Sequence, residues 1–570
     1  MTNQGTKLLK LTATCLALLN VSMSTSAELQ QPKASDRYPM LFHMVHNNPG
    51  EPRFDTRYAN PDYIAGLGYC AQIPKIEMQC GLTYDRWQDN IVPLNSDERM
   101  WIDRKAASVR VQLKKAKDAG LQVYPFTDVL VLPKSIMDKY ESEMRDETGR
   151  LSILKPRTEE LIRAQIDELF WRYPDLDGLT IRFGETYLHD TPFHKGSSPV
   201  YTPEEHSKLL NIFREEICVK RNKKVFYRTW DSQRLHSRPE LMLPATNGVE
   251  PHENLFIVIK HVNGDFLRNK PFNTTIGLGR HQQIVEISMN QAGIYGRNSH
   301  PYYLGKGVID GWQDMDWSSR RGIRSLYDEQ KVKGFWIWTW GDGWYGPYYD
   351  NEMWVNLNEY VIRTYIQNPT RSEASIFNEY AKEKMGLSEE DTAKLREMML
   401  LSEIAVFYGQ DTQLFEINVW SIRDQFLPAV DLTAAVKRGL QSAARREKRE
   451  NIERWYKIEK WADEIEMPNA EDDEFLRVSS TYGRIKYEII EQLWNIQLMF
   501  AELEVDKTPI DKRAAREAID IYEAKWAEWV ALKKAYPCCS TLYQDHVVDH
   551  IKGMPPFREN LEKLKTMIKY

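Results

Sequence analysis

The chain reads as an α/β protein: a (β/α)8 barrel followed by an all-α helical region. Three observations predict this. Short runs of β-branched and aromatic residues recur over the first two thirds, as in GLTIRF, KVFYRT, NLFIVIK, QIVEIS and GFWIWTW, and parallel strands buried on both faces read as such near-continuous apolar runs. Stretches with helical apolar spacing lie between them, the alternation expected of a parallel sheet with crossover helices. Beyond about residue 366 the strand-like runs stop, and the sequence becomes charged, Gly-poor and punctuated by Leu and Trp.

After a polar linker to about Asp36, eight segments are expected as strands: Pro39–His46, Lys75–Leu82, Gln122–Val131, Gly178–Phe183, Lys224–Thr229, Leu255–Lys260, Gln283–Ser288 and Gly334–Trp340. The crossover helices follow from spacing. Asp97–Lys117 carries a capping Asp97 and a stripe of Trp101, Ala106, Val109, Leu113 and Ala116; Thr158–Tyr173 aligns Leu161, Ile162, Ile166, Leu169 and Phe170; Pro203–Val219 has similar spacing. Eight strand–helix units over roughly 330 residues suit an elaborated barrel.

In the C-terminal region, Thr370 with Glu373 and Ser388 with Asp391 read as capping-box starts. The apolar positions Ile452, Trp455, Ala462 and Ile465, and then Ile485, Ile489, Leu493, Ile496 and Phe500, predict long packed helices. The charged run AARREKRENIER is expected to be a solvated helix face. The apolar stripes imply burial against the barrel or a homodimer formed through the C-terminal helices.

Composition narrows the function. A 570-residue chain with 42% apolar residues has ample material for large cores. A formal net charge of −6 gives no basic surface for nucleic acid or acidic membranes. Lys7 and Lys10 precede an apolar stretch from Leu11 to Val21, and Ser24–Ala27 offers small residues for cleavage. That is a secretory pattern, predicting a signal peptide over 1–27 and a periplasmic or secreted protein. It leaves 28–365 for the barrel and 366–570 for the helices. No segment reaches the ~18–20 apolar residues of a membrane span. Cys70, Cys80, Cys218, Cys538 and Cys539 remain after cleavage, an odd number that argues against a full disulfide framework. A Cys70–Cys80 bridge and two buried thiols both remain open. No Cys/His spacing suggests zinc, so neither metal nor cofactor is expected.

The residues that could do chemistry sit at strand ends. Glu185 follows Arg182-Phe183-Gly184, where a carboxylic acid raised by burial could protonate a leaving-group oxygen. Asp265 follows Asn263-Gly264, a turn dipeptide that could present it to the same pocket or merely use it to stabilise the turn. Together they make the carboxyl pair that glycosidic cleavage requires. Arg228 and Lys260 lie in or at the end of apolar strands, where a cation needs an anion, either a structural carboxylate or a substrate's. Glu286, inside QIVEIS, needs compensation in turn, from Arg228 or Lys260. His46 and Asn47 close the first strand and are placed to bond sugar hydroxyls. Arg182 stands beside Glu185, and Trp230 and Trp340 are candidate sugar walls as well as candidate packing residues.

At these residues the chain resembles family 67 glycoside hydrolases, the α-glucuronidases that remove glucuronic acid from xylan fragments. NLFIVIKHVNGDFLRNKPF is similar to the family's strand and loop in which a Lys precedes a catalytic Asp by five positions, here Lys260 and Asp265. VFYRTWD resembles the strand whose Arg binds the uronate carboxylate, implying that role for Arg228. RFGE resembles the strand end with the general acid, implying Glu185. EISMNQAGIYG is similar to a segment with two Glu residues: the first corresponds to Glu286, while the second, a base in that family, falls on Ala292. The family's N-terminal β-sandwich has no counterpart before Pro39. The resemblance covers roughly the barrel and the start of the helices and implies the fold given above.

The leading expectation is an exported hydrolase that inverts configuration while releasing an acidic, uronic-type sugar from oligosaccharides, with Glu185 as acid and Asp265 as base. Two alternatives stand beside it: a neutral-sugar hydrolase whose cations pair internally, and a non-catalytic glycan-binding protein on a decayed barrel.

Overall fold

The computed structural model describes residues 36–46, 56–184, 186, 188, 190–230, 235–264, 266–288, 300–312, 314–315, 322–341, 351–418, 427–536 and 556–570. The strands are β1 (Met40–His46), β2 (Ala71–Gln72), β3 (Gln122–Val123), β4 (Phe126–Asp128), β5 (Val131–Pro133), β6 (Gly178–Arg182), β7 (His194–Gly196), β8 (Lys224–Arg228), β9 (Leu255–Lys260), β10 (Gln282–Ser288) and β11 (Val332–Gly341). Nine of them form one sheet in the order β3-β2-β1-β11-β10-β9-β8-β6-β4, with every neighbouring pair parallel. Strands β5 and β7 make a separate antiparallel pair.

The two outermost strands of the large sheet, β3 and β4, are separated only by Tyr124 and Pro125. Tyr124 N–H donates to Gln72 O at 3.1 Å on one side, and Thr180 N–H donates to Pro125 O at 3.0 Å on the other. The sheet thus curls until both of its edges belong to one stretch of chain. The sequence explains the curl, because both faces of these strands are apolar. Phe42, Met44, Phe126, Phe226, Phe256, Val258, Ile284, Trp336 and Trp338 point into one buried cluster inside the curl. Their alternates Leu41, Ile181, Val225, Tyr227, Ile257, Ile259, Val285, Ile287 and Ile337 belong to a second cluster shared with the helices. This is the two-residue alternation of a strand applied to a sheet covered on both sides.

The helices are α1 (Pro61–Gly66), α2 (Asp97–Asp118), α3 (Lys134–Met144), α4 (Pro156–Arg172), α5 (Pro203–Phe213), α6 (Pro239–Asn247), α7 (Gly305–Asp310), α8 (Met353–Gln367), α9 (Glu373–Glu379), α10 (Glu389–Gln410), α11 (Thr433–Lys437), α12 (Gln441–Glu464), α13 (Ala470–Val505), α14 (Lys512–Ala535) and α15 (Phe557–Ile568). The architecture is therefore an α/β, barrel-like unit followed by a helical region. The stripes Ile102, Ala106, Val109 and Leu113 on α2, and Leu161, Ile162, Ile166 and Leu169 on α4, are buried as their spacing requires.

Several boundaries differ from the sequence reading. Lys75–Leu82 is not a strand: the pairing segment is Ala71–Gln72, and Met78–Gly81 forms a 3-10 turn. Glu77 takes a left-handed φ of 40°, which ends any pleat, and the alternating apolar residues are absorbed by packing under α2 instead. Gln122–Val131 is divided among β3, β4 and the first residue of β5, interrupted at Pro125 and again at Leu130, whose φ is 58°. Helix α2 is capped by Ser96, whose hydroxyl accepts from Arg99 N–H, so Asp97 is its first residue and not its cap. Helix α9 is capped by Ser372 rather than Thr370, whereas Ser388 caps α10 as expected.

In the helical region Trp455, Ile489, Leu493 and Ile496 are buried within the chain, so these apolar stripes are spent on internal packing. Among the charged residues of this run on α12, Lys448 alone is buried. Its Nζ donates to Tyr408 O at 2.7 Å and Asp411 O at 2.6 Å. Cys70, Cys80 and Cys218 are free thiols, so no Cys70–Cys80 bridge forms.

Candidate active site

Alternation along each strand decides what reaches the carboxyl end of the sheet's interior. Counting by twos from the inward apolar residues gives His46 on β1, Asp128 on β4, Arg182 on β6, Arg228 on β8, Lys260 on β9, Glu286 on β10 and Trp338 on β11. Charged groups thus stand at the same end of five of these strands, with the aromatic His46 and Trp338 on the other two. The register agrees: Asp128 lies opposite Arg182, and Glu286 lies opposite Lys260.

The charges are matched. Arg228 and Glu286 form a two-pronged pair, Nε to Oε2 at 2.8 Å and Nη2 to Oε1 at 2.7 Å, with both side chains buried. Arg182 grips Asp128 likewise, with Nη2 2.7 Å from Oδ2 and Nε on the other oxygen. Such planar forks meet the geometry of a carboxylate and satisfy both partners away from water. Phe126 lies between the pairs, its ring centre 5.0 Å from the Arg182 guanidinium carbon and 5.2 Å from that of Arg228. Trp336 and Trp338 flank Arg228 at 5.6 and 5.4 Å, a geometry in which ring faces stabilise a cation.

Around this floor stand residues suited to a ligand. His46 stacks on Trp338 with ring centres 4.9 Å apart and an interplanar angle of 11°. The Lys260 ammonium lies 3.6 Å from the ring centre of Trp230 and 4.2 Å from that of Phe266. Trp230 is only partly buried and also meets His236 at 4.6 Å. Phe266 holds a left-handed φ of 57°, a conformation that costs energy in a non-glycine residue and tends to mark functional loops.

The structure therefore brings together Arg182, Arg228, Lys260, Glu286, His46 and Trp230. Arg182 holds Asp128 and Arg228 holds Glu286, the structural-carboxylate alternative that the sequence left open for Arg228. Glu286, expected among the catalytic groups, is the partner of Arg228. Glu185, Asp265, Asn47 and Ala292 lie outside the described residues, as does the side chain of Trp340. In the sequence, Glu185 follows Arg182 by three positions and Asp265 follows Lys260 by five.

Comparison with known proteins adds to this geometry. A solved GH138 enzyme targeting pectin rhamnogalacturonan II superposes with a TM-score of 0.58 at 12% identity, over 94% of this chain and 68% of its own. The chain shares the overall fold of that enzyme. A mutant O-GlcNAc hydrolase from Thermobaculum terrenum matches 94% of this chain and 96% of its own at 12% identity, with a TM-score of 0.39. Dispersin B matches 53% and 91% at 11% identity, with a TM-score of 0.29. No family model matches the sequence, and no curated protein does. The likeness to the GH138 structure is one of fold and does not point to family 67.

The cluster lies at the carboxyl ends of the parallel strands, the end at which (β/α)8 enzymes carry their active sites. Sequence reasoning passed over Asp128, Phe126, Trp338 and Phe266. The signal for Asp128 was present: it stands two residues after Phe126 in an apolar strand, and a carboxylate there demands a cation.

Proposed function

We propose that this protein is an exported glycoside hydrolase that releases an acidic sugar from polysaccharide-derived oligosaccharides by inversion. In this reading the curled sheet is a (β/α)8 barrel, with β3 and β4 acting as one strand. Glu185 protonates the glycosidic oxygen, and Asp265 takes a proton from the attacking water as that water bonds to the anomeric carbon. The observation that carries the reading is the set of charged and aromatic residues at the carboxyl ends of seven parallel strands in a hydrolase-like fold. The partly buried Trp230 offers apolar surface for a sugar ring, and Lys260 supplies positive charge beside it. The pectin-directed activity named for the GH138 structure supports an acidic glycan as the substrate class.

A neutral sugar is the second reading, and the Arg228–Glu286 pair favours it. A substrate carboxylate would have to displace Glu286 to reach Arg228, leaving a buried anion behind.

A panel of acidic oligosaccharides and their carboxyl-reduced analogues, with the product anomer followed by NMR, separates the two. Turnover confined to acidic members, with Lys260→Ala weakening them selectively, supports the first reading. Equal turnover of reduced analogues selects the second. Glu185→Gln and Asp265→Asn should each lower turnover by about 10²–10⁴-fold. Activity of either variant within a few-fold of wild type removes that residue from its role.

A further inference from the structure

The loop after β9 leaves the barrel and is fastened at its far side to the helical region. Its base is tied to the sheet: Asn273 Nδ2 donates to Lys260 O at 3.0 Å and to His236 O at 2.7 Å, and Asn263 N–H donates to Pro271 O at 2.9 Å. Its outer side is tied elsewhere. The buried Arg268 guanidinium donates to the backbone carbonyl of Glu403 on α10 and to the Asp314 carboxylate, and it sits 4.5 Å from the Trp312 ring centre and 5.0 Å from that of Phe407. Asn269 Nδ2 donates to Asp411 Oδ2 at 2.9 Å, and Lys270 pairs with Glu416 at 3.0 Å. The receiving end is itself braced. Lys448 of α12 holds the carbonyls of Tyr408 and Asp411, and its ammonium lies 4.0 Å from the Trp494 ring centre on α13. Between base and clamp the chain passes through the left-handed Phe266.

We infer that the helical region is a positioning element for the catalytic loop, with Arg268 and Asn269 as its positioning residues. The inference rests on the reading of Asp265 as the base. A left-handed Phe266 persists only if its surroundings fix it. The Lys260 and Trp338 contacts fix its ring, and the clamp fixes the backbone that follows. A base must sit within hydrogen-bond reach of its water, so a loop released by even an ångström loses rate rather than binding.

The test uses the full chain. In Arg268→Ala and Asn269→Ala, amide hydrogen exchange over residues 261–275 should quicken by about tenfold or more while β9 and β10 keep their protection. On whichever panel oligosaccharide the wild type cleaves, kcat should fall by about 10–100-fold with KM nearly unchanged. Arg268→Lys, which keeps the charge but loses the fork, should fall in between. Unchanged loop exchange in both alanine variants overturns the clamp whatever the activity. Faster exchange with wild-type kcat, where Asp265→Asn is inactive, overturns the positioning role. An active Asp265→Asn sinks the base reading itself, and the inference with it. That failure is told apart because it leaves the exchange result standing.

Discussion

At the scale of single residues, burial decides what each charge can do. Glu286 and Arg228 are both fully enclosed, so each is held by the other and by the rings around them. Removing one partner leaves an uncompensated buried ion, which typically costs about 3–5 kcal/mol, whereas replacing both with apolar residues of similar volume is often neutral. Glu286→Met should therefore lower stability by about 3 kcal/mol or more, and adding Arg228→Met should recover much of it. Urea unfolding checks this. A single variant as stable as wild type would mean that Arg228 does not depend on Glu286 and is available to a ligand. Glu403 on α10 is the other informative residue. Burial pushes its carboxyl up to about 8, against the opposing pull of Arg268, Lys306 and Arg396, with Glu373 adding to the rise. Between pH 4.5 and about 8 the folded chain keeps a proton that the unfolded chain has lost. Stability therefore falls as pH rises through that window, by about 1.4 kcal/mol per unit for one proton, and levels off above it. Glu403→Gln should flatten this slope and gain most over wild type near pH 8; parallel pH profiles for the two proteins would rule the assignment out.

At the scale of elements, the curl depends on strands approaching closely at particular points. Gly334 on β11 lies opposite Met40 on β1, and a Cβ at that position would come within 1.8 Å of the Met40 carbonyl oxygen. Backbone cannot yield as a flexible side chain can, so even one methyl must push β1 and β11 apart. Gly334→Ala should cost several kcal/mol, on the order of the larger core-packing losses. The readout is a large fall in thermal midpoint or loss of soluble protein; a midpoint within a degree or two of wild type would contradict the pairing. Gly178 is placed in the same way against Lys224 O on the far side of the sheet, at 2.0 Å.

At the scale of the whole molecule, the helical region completes the α/β unit. Trp354 of α8 is buried against Phe475 of α13, with its indole N–H donating to Ser479 Oγ at 3.2 Å. Tyr303 N–H donates to Ser402 Oγ of α10 at 3.0 Å, and the Arg268 clamp adds a third junction. A fragment ending at Gln367 would bare these surfaces to water, and exposed apolar patches of that kind drive association. Expressed alone, residues 36–367 should aggregate or unfold without cooperativity, as judged by light scattering and denaturant titration. A soluble fragment with a sharp transition would make the helices dispensable.

What the sequence determined by itself is periodic. Runs such as LFIVIK and VFYR are apolar on both faces, so a doubly covered parallel sheet followed from side-chain alternation alone, and β9 has the predicted bounds. The same periodicity made the long helices and the strand-end position of Arg182, Arg228 and Lys260 readable. Pairing was readable only as alternatives, Arg228 or Lys260 for Glu286 and none for Asp128, because it links residues far apart in the chain. That Arg228 meets Glu286 and Arg182 meets Asp128 depends on which strands become neighbours and in what register. The second strand escaped for a related reason. Ile76, Met78, Cys80 and Leu82 alternate like a strand, yet a left-handed Glu77 and the cover of α2 turn them into a buried 3-10 segment. Local pattern fixes which side of an element is apolar; only the packed chain decides which charge a buried charge will face, since that free energy lies in contacts that exist after folding.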